Sequence, residues 1–525
     1  MDAKLSRRVF LRTAAALGGG VLVAACQPKV VEKIVKETVV VEKEVEKVVK
    51  ETVMVEKIVK ETVVAPKELV KISFMGWGGT EEDEGVRAAI EKFQEENPGI
   101  EVTWMHTPDA YVEKLMVNIA AGTPPDSAFI NDFIFQEFAR DGLLLDITGM
   151  LKADPVLGSE DYFTQPQEAE RSTRNGKWYG IGSTWVAPHT YYNADIFEEV
   201  GIEPPSNDPD EAWGWDDFVD VAQQLTVDAN SRHPGDSGFD IENVERWGVH
   251  WPTWWWPPLV AVYANGGEVV DPETPRLLLD QPEAVQAIQR IADLMLVHQV
   301  MPQSAAFEAL GMSNTQMLET GRLAMAIDGS WALAWMYKIE ATLGTACLPK
   351  MKQPATVLGC HMHGVLSGTA HPEAAWKWLR FLASPWYEAY FCRIGLWLPN
   401  QTSLLSEEGL KSWMSEEIHP PGFEALVTEF VPQYGRFVPM PPGMQKVTNI
   451  VGSAFESVWA GDKTAEEAMA EAVPDANTAF QEGAKGASGE SSAPSFLADA
   501  PEWADPCLHA SVANKQARAR YLGRG

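Results

Sequence analysis

Tryptophan is the residue type that most clearly suggests a binding chemistry in this sequence, with 20 Trp against 11 Tyr. An indole ring has a flat apolar face and one N–H donor, so several of them can form an aromatic surface for a ligand. Trp77, Asp132 and Trp331 each lie just after a short apolar run that we predict to be a strand. Because ligands of open parallel sheets bind beyond the carboxyl ends of strands, we predict these three as ligand-binding residues. The alternatives are core packing for either Trp and a helix cap near Phe133 for Asp132.

A second group of residues could bind a soft metal ion. Cys360, His361, Met362 and His363 are consecutive, and on a strand the two histidines would share one face, as a copper or zinc site requires. No other ligand pair with useful spacing accompanies them. We therefore favour a strand that packs Cys360 and Met362 inward, with either histidine free to touch a ligand, and we predict no metal and no cofactor.

The sequence contains no GxSxG, HExxH, Walker-type or dinucleotide-binding motif. Its 74 acidic residues leave a glycoside hydrolase with two carboxylates open, because such pairs meet in space and not in sequence. The formal net charge of −32 argues against nucleic acid as a partner, since phosphate binding needs a basic surface.

The N-terminus has the pattern of an export signal. Arg7 and Arg8 precede an apolar stretch and the segment VAAC, which ends at Cys26. This order resembles a twin-arginine signal followed by a lipobox, so we predict a signal over residues 1–26 with lipidation of Cys26. The alternatives are a general secretion signal and an ordinary helix with a chance Arg pair. The prediction places the protein outside the cytoplasm, anchored to the membrane.

Residues 27–68 are predicted to form a stalk. The decapeptide VEKIVKETVV occurs at 31–40 and again at 55–64, and apolar or Thr residues alternate at spacings of three and four. This spacing is typical of a helical or coiled-coil spacer, and a flexible charged tether is the alternative. At the other end, residues 483–525 are linker-like and basic, and we predict a disordered tail there.

The length and the apolar pattern predict the organisation of the body. A chain of 525 residues exceeds one hydrophobic core, so at least two domains are expected. Alternating apolar runs at 70–74 and 100–104 are each followed by a helical pattern, at 86–93 and 112–119. Strands that alternate with helices predict an α/β fold with a mostly parallel sheet.

Three helices in the second half are marked by particular residues. The pattern over 285–295 predicts an amphipathic helix, Pro372 stands where a helix begins, and Thr464 with Glu467 forms a capping box. The disulfide state of Cys347, Cys360, Cys392 and Cys507 stays open, although the spacing of Cys347 and Cys360 permits a bridge.

Seven segments, in this order along the chain, resemble family 1 of the extracellular solute-binding proteins, the group that includes maltose-binding proteins. They are IEKFQEENPGIEV (90–102), AAGTPPD (120–126), GKWYGI (176–181), YYNADIFEEVGIEPP (191–205), ANGGEVVD (264–271), GRLAMAIDGSW (321–331) and HPEAAWKWLRFLAS (371–384).

The resemblance implies a two-lobed periplasmic-binding-protein fold of type II, with discontinuous lobes joined by crossing strands near 191–193 and 359–365. It places lobe 1 at 69–190 plus 357–396 and lobe 2 at 191–356 plus 397–482. Such lobes close on a ligand by a hinge motion.

The resemblance also implies a set of ligand-binding residues. Trp331 matches an aromatic residue that stacks on sugar in the maltose-binding relatives, Trp397 falls near another, and Trp254 to Trp256 lie where those relatives place an acidic and aromatic pair. No carboxylate stands there in this chain, which puts a maltose-like hydroxyl pattern in doubt. The indole rings of Trp77, Trp185, Trp254, Trp256, Trp331 and Trp397 could supply faces for the C–H side of a pyranose, and Glu81, Asn131 and Asp132 could bind its hydroxyls.

The expected function is a lipid-anchored solute-binding component of an ABC importer that binds a sugar between its lobes and delivers it to the permease. The alternatives are a binding protein for a polyamine or polyol and a surface-anchored enzyme that acts on glycans.

Overall fold

The computed structural model describes residues 69–158, 175–271 and 273–485. The predicted signal with Arg7, Arg8 and Cys26 and the predicted stalk up to residue 68 lie outside the described residues. Cys507 and residues 486–525 of the predicted tail also lie outside them.

The strands are short and spread along the whole described chain. They are β1 (Val70–Gly76), β2 (Ile100–His106), β3 (Ser127–Ile130), β4 (Gly180–Val186), β5 (Pro188–Asn193), β6 (Val227–Asp228), β7 (Val244–His250), β8 (Leu323–Gly329), β9 (Leu343–Ala346), β10 (Thr356–Val365), β11 (Leu398–Pro399) and β12 (Gly435–Phe437).

Helices separate most of these strands. They are α1 (Thr80–Glu96), α2 (Tyr111–Ala120), α3 (Asp132–Arg140), α4 (Thr148–Ala153), α5 (Ala194–Val200), α6 (Trp215–Leu225), α7 (Leu259–Ala264), α8 (Pro282–Leu296), α9 (Ser304–Leu310), α10 (Asn314–Glu319), α11 (Leu333–Met336), α12 (Pro372–Leu382), α13 (Pro385–Arg393), α14 (Glu407–Trp413), α15 (Phe423–Ala425), α16 (Val431–Tyr434), α17 (Met444–Trp459) and α18 (Ala465–Lys485).

The strands form two sheets. The first has the order β11–β4–β10–β3–β1–β2, with β12 beside β10, and the second has the order β6–β7–β8–β5–β9. Each sheet has its own large cluster of buried apolar side chains. The α/β class predicted from the alternating pattern is therefore confirmed.

The sheets are mixed, and the expectation of a mostly parallel sheet is wrong. β1 runs parallel to β2 and β3, and β7 runs parallel to β8. In contrast, β10 is antiparallel to β3 and β4, and β5 is antiparallel to β8 and β9. β5 and β10 are the first strands after the chain passes from one sheet to the other, and each runs antiparallel to the two main neighbours named here, although β10 is parallel to β12.

The chain passes between the sheets at two places. β4 in the first sheet and β5 in the second are separated only by Ala187, a few residues before the position that the resemblance implied. The return lies between β9 and β10, at residues 347–355. β11 pairs with β4 in the first sheet, and α18 includes residues 483–485. The lobe boundaries themselves stay a prediction.

The three helices predicted from particular residues are present. Ile288, Ala292 and Met295 are buried on α8, and Pro372 is the first residue of α12. At the start of α18, the Glu467 carboxylate accepts from the Thr464 N–H at 3.0 Å, and Thr464 Oγ1 accepts from the Glu467 N–H at 3.2 Å. This reciprocal pair satisfies two N–H groups that a helix start otherwise leaves without a partner.

Candidate functional site

Trp77 lies at the carboxyl end of β1, as predicted, and is packed into the first sheet's core. Its side chain is 8% exposed, with ring centroids 4.9 Å from Tyr111 and 5.1 Å from Phe129. The next residue, Gly78, has a φ of 119°, and a Cβ there would meet the Glu82 carboxylate. The loop that carries Trp77 therefore needs glycine.

Asn131, not Asp132, caps α3. The Asn131 side chain accepts from the Ile134 N–H at 3.3 Å, whereas Asp132 is the first residue inside the helix. Burial raises the pKa of Asp132 to about 6, and hydrogen bonds from its own N–H and from the Cys360 N–H oppose this rise. Asp132 as a whole residue is half-buried, and its role in ligand binding stays a prediction.

Trp185 and Trp397 are both buried, Trp185 in the larger cluster that also holds Trp256 and Trp397 in the cluster of the first sheet. Trp185 is 2% exposed, and its indole N–H donates to the Pro399 carbonyl, which ties β4 to β11. Trp397 is 3% exposed and lies 4.1 Å from Phe391 and 4.0 Å from His361 between ring centroids. The structure thus gives both rings aromatic or backbone partners within the protein.

Three of the predicted tryptophans come together beyond the second sheet, and we call Trp254, Trp256 and Trp331 the tryptophan trio. The rings of Trp254 and Trp256 stack at 5.7 Å and 20°, and Trp331 lies 6.1 Å from Trp256. Trp256 is 5% exposed, whereas Trp254 and Trp331 are half-buried. Part of the surface of Trp254 and of Trp331 is therefore exposed.

The parallel pairing of β7 and β8 explains why the trio forms. Trp254 and Trp256 lie in the loop after β7, and Trp331 lies in the 3-10 turn Ser330–Ala332 after β8. Since β7 and β8 are parallel, their carboxyl ends meet at one edge of the sheet. This is the kind of position that the strand-end argument predicts for a ligand.

A narrow crevice with a volume of about 10 Å³, room for about one water molecule, lies beside the trio. Its walls are two members of the trio, three prolines and the end of β8, which are Trp254, Trp331, Pro188, Pro252, Pro257, Ile327, Asp328 and Gly329. A Cβ at Gly329 would lie 2.3 Å from the Trp331 ring, so the ring rests directly on this backbone. The crevice is apolar except for the Asp328 side chain and backbone groups.

Asp328 is the charged group of this crevice, and it was missed as a site residue. It lies one residue before the end of β8 and three before Trp331, so the strand-end argument applies to it as well. One carboxylate oxygen accepts from the Gly329 N–H at 2.8 Å and the other from the Asn314 amide at 3.0 Å. Burial raises the pKa of Asp328 to about 6, against these two hydrogen bonds.

The first sheet reaches the trio through α3 and β10. The ring of Phe133, next to Asp132, lies 5.3 Å from that of Trp255. Gly359 on β10 lies close to Trp256, since a Cβ added there would be 3.5 Å from the ring. The N–H of the next residue, Cys360, donates a hydrogen bond to the Asp132 carboxyl group. Trp185 belongs to the same buried cluster as Trp256, whereas Trp77 and Trp397 belong to the other large cluster. The ligand contacts of Asp132 and of these three tryptophans stay a prediction.

Glu81 has a partner from the other half of the body. Its carboxylate lies 3.3 Å from the Lys338 ammonium, and the two side chains are 33% and 49% exposed. Glu81 is in the first turn of α1, after β1, whereas Lys338 lies between β8 and β9. The pair therefore joins a helix beside the first sheet to a segment of the second.

The cysteine and histidine group on β10 is packed as a strand. Cys360 and Met362 are buried, and His363 lies 2.7 Å from the Ser183 hydroxyl. Burial lowers the pKa of His361 to about 3 and that of His363 further. Among the described residues, no group of three or more His, Cys, Asp and Glu is placed to hold a metal ion.

The described cysteines are reduced. Cys347, Cys360 and Cys392 are buried free thiols, so the bridge that the spacing of Cys347 and Cys360 permits is not formed. Cys347 donates to the Asn207 carbonyl at 3.1 Å, whereas Cys360 lies on β10 facing the Thr184 carbonyl. In the part of the chain that the structure describes, no helix is both long and apolar enough to span a bilayer.

Residues 77–389 match the protein family described as bacterial extracellular solute-binding protein. The chain is also 24% identical over 396 residues to a Brucella abortus (strain 2308) protein named only as a binding protein, a match over 73% of this chain and 87% of the other.

Two solved structures show the same fold. The ABC substrate-binding protein Lmo0181 from Listeria monocytogenes, in complex with cycloalternan, has a TM-score of 0.69 and 23% identity, covering 79% of this chain and 100% of that one. Maltose-bound MalE3 of T. maritima has a TM-score of 0.63 and 22% identity, covering 78% and 99%. These structures confirm the two-lobed periplasmic-binding-protein fold. The chain belongs to the bacterial extracellular solute-binding proteins, a family of binding proteins.

Proposed function

We propose that this protein is the carbohydrate-binding component of an ABC importer and that it holds a sugar or oligosaccharide against the tryptophan trio. The observation that carries the proposal is the crevice at the carboxyl ends of β7 and β8, where half-buried indole rings lie beside Asp328. A pyranose has one face of C–H groups that packs on an indole and a rim of hydroxyls that need polar partners. The crevice offers both kinds of surface side by side.

The similar structures support a sugar as the ligand. One of them is bound to cycloalternan and the other to maltose, and both share this fold at low identity. Phe133, next to Asp132, contacts Trp255 from the side of the first sheet, and Asp328 lines the crevice beside Trp331. A sugar that contacts both Asp132 and Asp328 would favour the closed arrangement of the lobes predicted at 69–190 plus 357–396 and at 191–356 plus 397–482.

The anchor and the partner complete the proposal. Lipidation of Cys26 would hold the protein at the outer face of the membrane, and the stalk would give the body its reach. There the closed, sugar-bound form would be the form that the permease subunits recognise. A Cys26→Ala variant should appear in the medium instead of the membrane fraction, and an unchanged membrane fraction would refute the anchor.

The ligand class is tested by a thermal-shift screen followed by calorimetric titration. The probes are maltose, maltotriose and cycloalternan, with spermidine for a polyamine and sorbitol for a polyol. We expect selective stabilisation by a saccharide, because a ligand that binds only the native state raises its stability by mass action. Binding of spermidine or sorbitol alone would contradict the proposal, and release of smaller glycans during the titration would favour an enzyme.

A further inference from the structure

Asp328 is held in one orientation by its neighbours. Its two oxygens accept one hydrogen bond each, from the Gly329 N–H and from the Asn314 amide. Asn314 is 9% exposed and begins α10 directly after the capping box of Ser313 and Gln316. A carboxylate that receives two fixed donors points in a set direction before any ligand arrives.

The carboxylate keeps capacity for a ligand. An ionised carboxylate offers about four acceptor sites, and the two protein donors use only two of them. Asp328 is half-buried and lines the crevice next to the Trp331 ring. The remaining acceptor capacity of Asp328 thus lies in the crevice that this residue shares with Trp331, beside an indole on which a pyranose could pack.

In the described part of the chain, the only formal charge among the residues that line the crevice is the negative charge of Asp328. None of the described residues that line it is a Lys, Arg or His, and Asp328 is its one ionisable group. An anionic ligand would meet this carboxylate in a partly dehydrated site without a compensating cation, which costs free energy.

We propose that Asp328, oriented by Asn314, is the specificity-determining residue of the crevice: it accepts hydrogen bonds from the hydroxyls of a neutral saccharide and disfavours saccharides that carry carboxylates. This inference rests on the proposed function and deepens it, because it names the charge class of the ligand and the residue that selects it.

The test compares wild type, Asp328→Asn and Asp328→Glu by calorimetric titration. The probes are the neutral saccharide that binds best among maltose, maltotriose and cycloalternan, and the same saccharide oxidised at C6 to its uronic acid. Wild type should prefer the neutral probe by about tenfold or more. Asp328→Asn should bind the neutral probe about 10 to 100 times more weakly, since it loses a charged hydrogen bond, and should prefer it less over the acid.

Asp328→Glu and one control variant separate a binding role from a structural one. Asp328→Glu keeps the charge and displaces it, so it should lose affinity for the neutral probe and still reject the acid. Asp220→Asn, on the exposed side of α6, removes one negative charge far from the crevice and should bind as wild type does. Thermal unfolding of each variant shows whether it is folded.

The outcomes distinguish the two proposals. If wild type binds no saccharide, the proposed function fails and this inference fails with it. If wild type binds a neutral saccharide and Asp328→Asn binds it equally well, or if the acid binds as well as the neutral probe, only this inference is overturned.

Discussion

The tryptophans differ in how much of each ring the protein itself covers. Trp331 is half-buried and packs against both large core clusters, so replacing it by Ala should remove a ligand face and also lower the stability of the fold. We expect Trp331→Ala to weaken saccharide binding by about 1.5–3 kcal/mol, roughly tenfold to a hundredfold, from the apolar contact alone. Calorimetric titration and thermal unfolding measure the two effects separately.

Trp386→Ala is the matched control for that substitution. Trp386 is 37% exposed on α13 and lies outside the crevice, so its loss should leave affinity unchanged. Equal affinity of Trp331→Ala and wild type would remove Trp331 from the site.

His189 gives a pH-dependent prediction at the level of one residue. Burial lowers its pKa to about 3, against 6.5 for a free histidine. The folded protein therefore keeps this ring neutral, whereas the unfolded chain protonates it below pH 6.5. The stability that His189 contributes is fully present above pH 6.5 and is lost as the pH falls from 6.5 towards 3.

The comparison with His189→Gln isolates this effect. Between pH 6.5 and about 4.5, wild type should lose about 2 kcal/mol of unfolding free energy relative to the variant. Denaturant titrations at both pH values give the difference, and His233→Gln, at an exposed position, controls for the substitution itself. A difference that does not change with pH would show that His189 titrates normally in the fold.

The sequence alone pointed to some of the candidate ligand-binding residues and not to others, and the difference has physical causes. The strand-end argument found both Trp77 and Trp331, because both follow a strand. It could not tell them apart, since the end of β1 is covered by Tyr111 and Phe129, which are distant in sequence. Asp328 escaped notice because its role depends on Asn314, a partner from another helix.

At the level of elements, the junction between the end of β8 and the 3-10 turn Ser330–Ala332 sets the position of the Trp331 ring. Gly329 has no side chain, and a Cβ there would lie 2.3 Å from the indole carbons. Gly329→Ala must therefore displace the ring or the end of β8. We expect a loss of saccharide affinity in the same direction as for Trp331→Ala, with a stability cost of about 1–3 kcal/mol.

Gly149→Ala is the control for that change. A Cβ at Gly149, in α4, would meet nothing within 4 Å, so this variant should bind normally and be as stable as wild type or slightly more so. Normal binding by Gly329→Ala would show that the ring does not depend on this backbone contact.

The pair of Glu81 and Lys338 connects α1 with the segment between β8 and β9. We expect a coupling of at most about 1 kcal/mol between the two, because both side chains are partly exposed. A double-mutant cycle of Glu81→Gln and Lys338→Met on ligand affinity, at low and high salt, measures it.

The cycle also decides the role predicted for Glu81 from the sequence. If Glu81 acts through Lys338, Glu81→Gln should have no effect in the Lys338→Met background. A loss of affinity in that background would show that Glu81 touches the ligand itself.

For the whole molecule, the sequence predicted the fold class better than its topology. Alternating strand and helix patterns gave the α/β class, and the seven family segments gave the two-lobed fold, which the solved structures confirm. The mixed sheets were not predicted, because local periodicity does not show which way β5 and β10 run beside strands distant in sequence. The lobe boundaries, the anchor at Cys26 and the ligand remain proposals.

We propose that a saccharide is held on the tryptophan trio between the two sheets. A crystal structure of the protein with its best-binding saccharide tests this most directly. We predict a sugar ring packed on Trp331 or Trp254, with hydroxyls bonded to Asp328 and to a residue of the first sheet such as Asp132. A saccharide bound elsewhere, with the trio free of it, would contradict the claim.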